Sequence, residues 1–298
     1  MSILDELSGA IRAVHHSAGP AVVGIGRRIR GSGIVIADGR ILTNAHLLRG
    51  DEVTVTFHDG RSASGPVLGV DVDGDLAVVG AETTGSPALA WADSTPGVGD
   101  VVFGLAASAA GPVRVTAGTV SAIEQSFRGP GGIRIGGSLE HTAPLASGSS
   151  GGPLVDGEGR LVAINTHRIG EGFYLARPAD AALRQRVDGL ARGESASRPR
   201  LGIALAPSSV ARRLRRSVGL SERDGLLVRG VEEGSPAERA GIREGDLLVA
   251  AGGTPTTDPD GLAETLAASG LPSELRIVRG DDERVVSVGG GSDAGGDA

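Results

Sequence analysis

A serine among glycines marks the stretch of this chain that is best suited to chemistry. Residues 146–154 read Ala-Ser-Gly-Ser-Ser-Gly-Gly-Pro-Leu, with Ser150 near the centre. Small neighbours let a substrate carbonyl approach a serine hydroxyl closely. The backbone N–H groups of Gly148 and Ser150 are predicted to form an oxyanion hole, because both can point at an oxygen on which negative charge develops. Residues 148–152 also fit G-x-S-x-G, the nucleophile turn of α/β-hydrolases, so this motif alone does not choose a fold.

The order of the other reactive residues along the chain separates the two folds. An α/β-hydrolase places its acid and then its histidine after the serine, whereas chymotrypsin-type proteases run histidine, aspartate, serine. Only His167 follows Ser150, and it comes too soon for an intervening acid with its supporting strands. His46 and Asp75 both precede the serine. The order therefore favours a trypsin-like triad of His46, Asp75 and Ser150.

Each residue of this predicted triad has a chemical role. Ser150 is a weak nucleophile that needs a base, and His46 can take its proton and return it to a leaving amine. A carboxylate best holds the imidazole in the required tautomer. Asp75 is favoured because it directly precedes the apolar run 76–79, whose strand would hold it rigidly. Asp73 is the alternative partner, and Asp71 and Asp73 are otherwise expected to be solvated loop carboxylates.

Three motifs together resemble the HtrA/Deg family of trypsin-like serine proteases that carry a PDZ domain. Thr-Asn-Ala-His ends at His46, Asp-Leu-Ala-Val begins at Asp75, and Gly-Ser-Ser-Gly-Gly-Pro-Leu occupies residues 148–154. The resemblance implies an ATP-independent serine endopeptidase that cleaves unfolded or exposed polypeptide segments in protein quality control, without cofactor or metal. It also implies a homotrimer, and a substrate pocket whose wall includes Asn165, Thr166 and His167.

Short apolar runs between turns predict a mainly β protein around these residues. Fifty glycines and 15 prolines in 298 residues imply many turns. Aromatic residues make up 2% of the chain, so the cores must be built from Val, Leu, Ile and Ala. We expect a trypsin-like protease domain over 21–190, with one β-barrel at about 21–91, a second at about 99–177 and a closing helix. The catalytic site would lie between the two barrels.

A PDZ domain of α+β type is predicted over residues 200–288, after a polar linker at 191–199. Residues 235–238, Ser-Pro-Ala-Glu, combine a helix N-cap, a proline at the first helical position and a capping-box glutamate. The longer string 235–246 resembles the bacterial PDZ signature. A carboxylate-binding loop and a peptide groove are predicted, formed by Leu201, Gly202, Ile203, Leu262 and Leu266.

Composition and the chain ends restrict the partners and the compartment. The net charge of −7 disfavours a nucleic-acid partner, and the lack of cysteine excludes disulfides and thiol catalysis. Residues 1–20 predict an amphipathic helix rather than an export signal, and no stretch reaches the roughly 18 apolar residues of a membrane span. Residues 289–298 predict a disordered tail. A chain that naturally starts at Met1 would be cytoplasmic, and a periplasmic or extracellular location is the alternative if it starts earlier.

Two other functions stay open at this point. The protease fold could be latent, so that the chain acts mainly as a peptide-binding sensor or chaperone-like scaffold, because the sequence does not show whether the loop at Gly148 forms an oxyanion hole. An α/β-hydrolase esterase would require strands that alternate with long helices. The predicted pattern of short strands lacks these helices, which disfavours an esterase.

Overall fold

The chain folds into two compact units, residues 1–196 and 197–298, here called the larger and the smaller unit. The computed structural model describes residues 2–108, 111–128, 134–195, 201–269 and 273–289. The part of the predicted linker beyond residue 195 and the part of the predicted tail beyond residue 289 lie outside the described residues.

A closed barrel of six antiparallel strands forms the first half of the larger unit. Its strands are β1 (Val22–Ile25), β2 (Gly31–Ala37), β3 (Arg40–Thr43), β4 (Glu52–Thr56), β5 (Ser62–Asp71) and β6 (Leu76–Gly80). They pair in the order β1-β2-β3-β6-β5-β4, and the β1–β4 pair closes the barrel. In β4, Val53 and Val55 are buried and alternate with more exposed neighbours, as expected of a strand with one face in a core.

A second six-stranded barrel follows and carries the serine loop. Its strands are β7 (Val101–Ser108), β8 (Gly111–Arg128), β9 (Arg134–His141), β10 (Pro153–Val155), β11 (Leu161–Arg168) and β12 (Tyr174–Pro178). They pair in the order β10-β11-β12-β9-β8-β7, and the β10–β7 pair closes the barrel. The ladder between β10 and β11 ends at the Pro153–Ile164 pair, and Asn165 bonds to the backbone of Gly151 and Gly152. On that side, no strand of the described residues pairs with the edge of β11 from Thr166 to Arg168.

Two helices flank these barrels. Helix α1 (Ile3–Ala18) begins with a capping box, in which the Asp5 N–H donates to the Ser2 hydroxyl at 3.2 Å and the Ser2 N–H donates to the Asp5 carboxylate at 3.0 Å. Helix α2 (Ala181–Ala191) begins at the N-cap Asp180. The barrel cores are aliphatic, as the low aromatic content predicts. Phe103 is the only aromatic among the largest fully buried side chains of the described residues.

The described part of the smaller unit is a sheet with three helices. Its elements are β13 (Ile203–Ala206), α3 (Ser208–Ser217), β14 (Leu226–Val231), α4 (Pro236–Arg239), β15 (Leu247–Ala251), β16 (Thr254–Pro255), α5 (Pro259–Ser269), β17 (Ser273–Arg279) and β18 (Asp282–Val288). The strand order is β13-β14-β15-β17-β18, with β16 paired to β15, so β13 is an edge strand. The predicted mainly β fold class is confirmed. In the described parts of both units, no helix has the length and apolar character needed to cross a membrane.

Candidate active site

His46 and Asp75 form a close hydrogen-bonded pair. His46 lies in a short 3-10 turn that follows β3, and its Nδ1 is 2.8 Å from Asp75 Oδ2 and 3.0 Å from Oδ1. The backbone N–H of His46 also donates to Asp75 Oδ1 at 3.0 Å. A proton on Nδ1 is held by the carboxylate, which leaves Nε2 as the basic nitrogen. Of the two aspartates considered as partners of His46, it is Asp75 that binds the ring.

Asp75 is held in an unusual backbone conformation at the turn between β5 and β6. Its φ is +53°, a left-handed conformation that asparagine and aspartate tolerate better than most residues. The residue is only 2% exposed, and its side-chain Oδ2 accepts a 3.0 Å hydrogen bond from the Thr166 hydroxyl. The Asn44 side-chain amide donates to the Asp75 carbonyl at 2.9 Å. These bonds fix the carboxylate before any substrate binds.

Charged groups bind the turn that carries Asp75. Asp71 accepts a 2.8 Å bond from the Gly74 N–H and pairs with Arg186 of α2 at 2.8 Å. Arg177 donates to the Gly74 carbonyl at 2.8 Å, and burial lowers the pKa of Arg177. The expectation that Asp71 is a solvated carboxylate was wrong. Its side chain is only 15% exposed, because α2 brings a guanidinium against it.

The serine loop is anchored to the first barrel through Ser32 of β2. The Ser32 N–H donates to the Ser150 carbonyl at 2.8 Å, and the Ser32 hydroxyl donates to the Gly148 carbonyl at 2.8 Å. Gly148 has a φ of +91°. Among the described residues, the N–H groups of Gly148 and Ser150 have no protein acceptor. Both groups are therefore free of a competing acceptor in this part of the chain, and their role as an oxyanion hole stays a prediction.

Two glycines after the serine let this loop pack against both barrels. Gly151 has a φ of +80°, and a Cβ there would lie 2.2 Å from the Ser32 carbonyl oxygen. A Cβ on Gly152 would lie 2.3 Å from the Leu105 carbonyl oxygen. Both contacts are with backbone atoms that cannot rotate away. Larger residues at these positions would displace Ser150.

The Ser150 hydroxyl rests against β11. It donates to the Thr166 carbonyl oxygen at 3.4 Å, and it makes no hydrogen bond to His46 within the described part of the chain. A donor–acceptor distance of 3.4 Å is long for a hydroxyl. Such a weak bond is easily exchanged for one to His46, and catalytic hydrogen bonds commonly tighten only when substrate is bound.

An open cleft of about 490 Å³ is lined by His46 and Ser150. Asn165, Thr166 and His167 all line it, but they differ in what their side chains do. Asn165 is buried and donates to the Pro153 carbonyl at 3.2 Å, and Thr166 is bound to Asp75. His167 is exposed and stacks on Phe127, with 5.2 Å between the ring centroids. His167 is thus the only one of these three residues that is exposed.

A buried histidine, His141, contacts two of the residues that line the cleft. His141 Nε2 lies 2.9 Å from Asn165 Oδ1, and its ring stacks on Tyr174 at 5.7 Å. Since the Asn165 amide nitrogen donates elsewhere, His141 Nε2 carries the donated proton. Its Nδ1 is buried without a partner among the described groups. Burial lowers the pKa of His141 to about 4, although the bond to Asn165 opposes the effect.

Similarity to known proteins decides the family. Residues 31–164 match the family model of the trypsin-like peptidase domain, and residues 227–279 match that of the PDZ domain. HhoA from Synechocystis sp., which is named as a serine protease, is 36% identical over 281 residues, or 88% of this chain and 71% of HhoA. The chain belongs to the HtrA/Deg family of trypsin-like serine proteases. The predicted family and enzyme class are confirmed.

Other HtrA/Deg proteins agree with this assignment. Proteins named as DegP-like periplasmic serine endoproteases from Halomonas elongata and Rhizobium meliloti are 32% and 34% identical, each over 88% of this chain. The chain spans only 56% and 53% of their lengths. The solved serine endoprotease from Yersinia pestis is 27% identical with a TM-score of 0.65, covering 93% of this chain and 96% of that one. The HtrA-type protease AlgW with a decapeptide has a TM-score of 0.68 at 23% identity, which shows the shared fold, and covers 93% of this chain and 97% of that one.

The predicted peptide-binding residues of the HtrA/Deg PDZ domain lie in the smaller unit. Gly202 has a φ of +73°, and its carbonyl accepts a 2.8 Å bond from the Glu232 N–H. The Leu201 carbonyl accepts a 2.9 Å bond from Ala237 of α4. Ile203 begins the edge strand β13. Leu262 and Leu266 are 3% and 6% exposed and pack in the same cluster as Leu201.

Three positioning residues were missed by the sequence reasoning. Asn44 lies inside the Thr-Asn-Ala-His motif, so its position beside His46 was a usable signal. Ser32 and Arg177 have no local signal, since each acts on a turn that is remote in the sequence. In the described part of the chain, no cluster of three or more His, Asp or Glu side chains is placed to hold a metal ion.

Proposed function

We propose that this chain is a serine endopeptidase that cleaves peptide bonds through an acyl-enzyme on Ser150. The observation that carries the proposal is the short contact between Asp75 and His46 Nδ1, which makes Nε2 the basic nitrogen of a cleft that also contains Ser150. A buried carboxylate, an oriented imidazole and a serine on a glycine turn are the groups that acyl transfer requires.

The reaction follows from these positions. Ser150 Oγ attacks the carbonyl carbon while His46 Nε2 takes the hydroxyl proton, and Asp75 stabilises the imidazolium. The oxyanion accepts hydrogen bonds from the N–H groups of Gly148 and Ser150. Collapse of the tetrahedral intermediate breaks the C–N bond, and His46 protonates the departing amine. Water then attacks the ester with His46 as base, which releases a carboxylic acid and restores Ser150.

The substrate class is proposed to be unfolded or exposed polypeptide. The edge of β11 from Thr166 to Arg168 is unpaired, so an extended segment can add there as a strand next to Ser150. Strand addition uses the substrate backbone and requires that the segment be free of its own secondary structure. The open cleft is therefore better suited to loose segments than to folded surfaces. A role in protein quality control follows from this substrate class.

The smaller unit is proposed to capture peptide C-termini. Edge strand β13 offers its free side for strand addition, and the loop formed by Leu201, Gly202 and Ile203 precedes it. The family resemblance further suggests a homotrimer, which sedimentation analysis would test. The names of the DegP-like relatives support a periplasmic location over a cytoplasmic one, and cell fractionation would test it.

The alternative of a latent scaffold is less well supported. A latent site would have the oxyanion-hole N–H groups occupied or turned away. Here the N–H groups of Gly148 and Ser150 have no acceptor among the described protein groups. Since neither N–H group is occupied by a described protein group, this observation favours an enzyme over a latent scaffold.

Degradation of an unfolded model protein such as casein tests the proposal directly. We expect wild type to cleave it and Ser150→Ala to lose activity by about 10⁴-fold or more. The same removal of a hydroxyl at the exposed Ser94, Ser94→Ala, is the matched control and should leave the rate unchanged. A fluorophosphonate probe should label wild type at Ser150. Cleavage that survives in Ser150→Ala would refute the mechanism.

A further inference from the structure

The active-site cleft is lined by positive charge although the chain as a whole is acidic. Arg30, Arg49 and Arg168 line it, and no aspartate or glutamate is among its lining residues. All three arginines are exposed. The net charge of the chain is −7, so the charge of this cluster is opposite in sign to that of the whole chain. A local field of one sign in a cleft raises the local concentration of ligands of the opposite sign.

These cleft arginines are not neutralised by carboxylates of the described residues. Arg30 donates to the Leu47 carbonyl at 2.9 Å, and Arg168 donates to the Gly170 carbonyl at 2.9 Å. Arg49 has no hydrogen bond or ion pair in the described part of the chain. Some exposed arginines elsewhere on the larger unit do pair with a neighbouring acid, as Arg61 does with Asp59 at 2.9 Å. The cleft guanidinium groups therefore retain their capacity to bind a carboxylate.

The three arginines enter the cleft from two directions, Arg168 from the end of β11 and Arg30 and Arg49 beside the segment that follows His46. A peptide added to the free edge of β11 runs past Arg168 with the residues that precede the scissile bond. The leaving amine must depart near His46, which protonates it. The segment that follows His46 leads to Arg49, and Arg30 is tied to this segment through the Leu47 carbonyl.

We propose that this cleft selects acidic polypeptide segments. Arg168 binds an aspartate or glutamate before the scissile bond, and Arg30 and Arg49 bind acidic side chains after it. Guanidinium groups suit this role because they form paired hydrogen bonds with carboxylates. The inference rests on the proposed function and adds the charge of the preferred substrate. Exposed ion pairs are individually weak, so each arginine should contribute a factor of about two to five.

Peptides with one fixed scissile pair, flanked on both sides by either Glu or Gln, test the proposal. Their C-termini are amidated, so that they cannot use a carboxylate-binding loop in the smaller unit. We expect wild type to show a kcat/KM about tenfold or more higher for the Glu peptide at low salt. The preference should shrink at an ionic strength of about 0.3 M, where such pairs are screened.

Single variants assign the effect to the cleft. Arg30→Gln, Arg49→Gln and Arg168→Gln should each lower the Glu-to-Gln ratio of kcat/KM about two- to fivefold. Arg12→Gln, on an exposed position of α1, removes the same charge outside the cleft and should leave the ratio unchanged. An equal loss in Arg12→Gln, or a wild-type ratio near one, would overturn the proposal.

Binding separates this inference from the proposed function. The affinity of both peptides for Ser150→Ala, measured by fluorescence anisotropy, does not require turnover. Tighter binding of the Glu peptide that is lost in the arginine variants supports acidic selection even if wild type cleaves nothing, which would refute only the protease mechanism. Cleavage of both peptides at equal rates, with equal binding, would refute acidic selection and leave the protease intact.

Discussion

Mild acid is expected to destabilise the larger unit through His141. The neutral ring donates to Asn165 and stacks on Tyr174, while its Nδ1 is buried without a partner among the described groups. Protonation would place an unsatisfied charge in this position, so burial lowers its pKa from 6.5 to about 4. In the unfolded chain the same histidine is free to bind a proton at its ordinary pKa.

The sign and size follow from linkage. Because the folded pKa is lowered, His141 has its full stabilising effect above about pH 6.5, and this effect is lost as the pH falls towards about 4. Below that, both states are protonated and no further loss occurs. At about 1.4 kcal/mol for each tenfold change in the ionisation equilibrium, the total loss in the free energy of unfolding is about 3 kcal/mol.

The assay uses the single tryptophan of the chain. Trp91 lies in the larger unit, so its fluorescence during urea denaturation reports the unfolding of that unit. His141→Gln keeps a donor for Asn165 but does not titrate. We expect the free energy of unfolding of wild type to fall by about 3 kcal/mol more than that of His141→Gln between pH 7 and pH 4. A difference between the two proteins that stays constant over this range would refute the reasoning, whatever its size at pH 7.

Two further predictions concern positioning groups in the two units. Thr166→Val removes the 3.0 Å hydrogen bond to Asp75 without changing side-chain shape. We expect kcat to fall about tenfold with KM unchanged. The control variant Thr56→Val on β4 should leave kcat and KM unchanged. An equal loss in both variants would show general strain instead. Gly202→Ala would place a Cβ on a backbone with a φ of +73°, only 2.2 Å from the Cβ of the α4 N-cap serine. Binding of peptides with a free C-terminus should therefore weaken at least tenfold, while cleavage of amidated peptides should persist. Gly253→Ala, also at positive φ but with open space around it, is the control, and unchanged binding in Gly202→Ala would count against the proposed carboxylate loop.

Local patterns account for much of what could be predicted. The order of His46, Asp75 and Ser150 identifies a trypsin-like arrangement, because the catalytic groups of each fold follow one another in a characteristic sequence. Alternating and fully apolar runs predict the strands, since side-chain direction in a strand has a period of two. The glycines after Ser150 already indicate a tight turn. These features depend on near neighbours in the chain, and the resemblance to the HtrA/Deg family supports the same interpretation.

Tertiary structure decided how the site is held. Thr166 is hydrogen-bonded to Asp75, which lies 91 residues away in the sequence. Ser32 is hydrogen-bonded to the serine loop, 116 residues away. Asp71 was expected to be solvated, yet Arg186 covers it from 115 residues along the chain. Such partners are set by strand register and barrel closure, which no local pattern encodes. The three cleft arginines converge for the same reason. The sequence therefore determined which groups could react, and the packing of two barrels determined which groups position them and which charged side chains line the cleft.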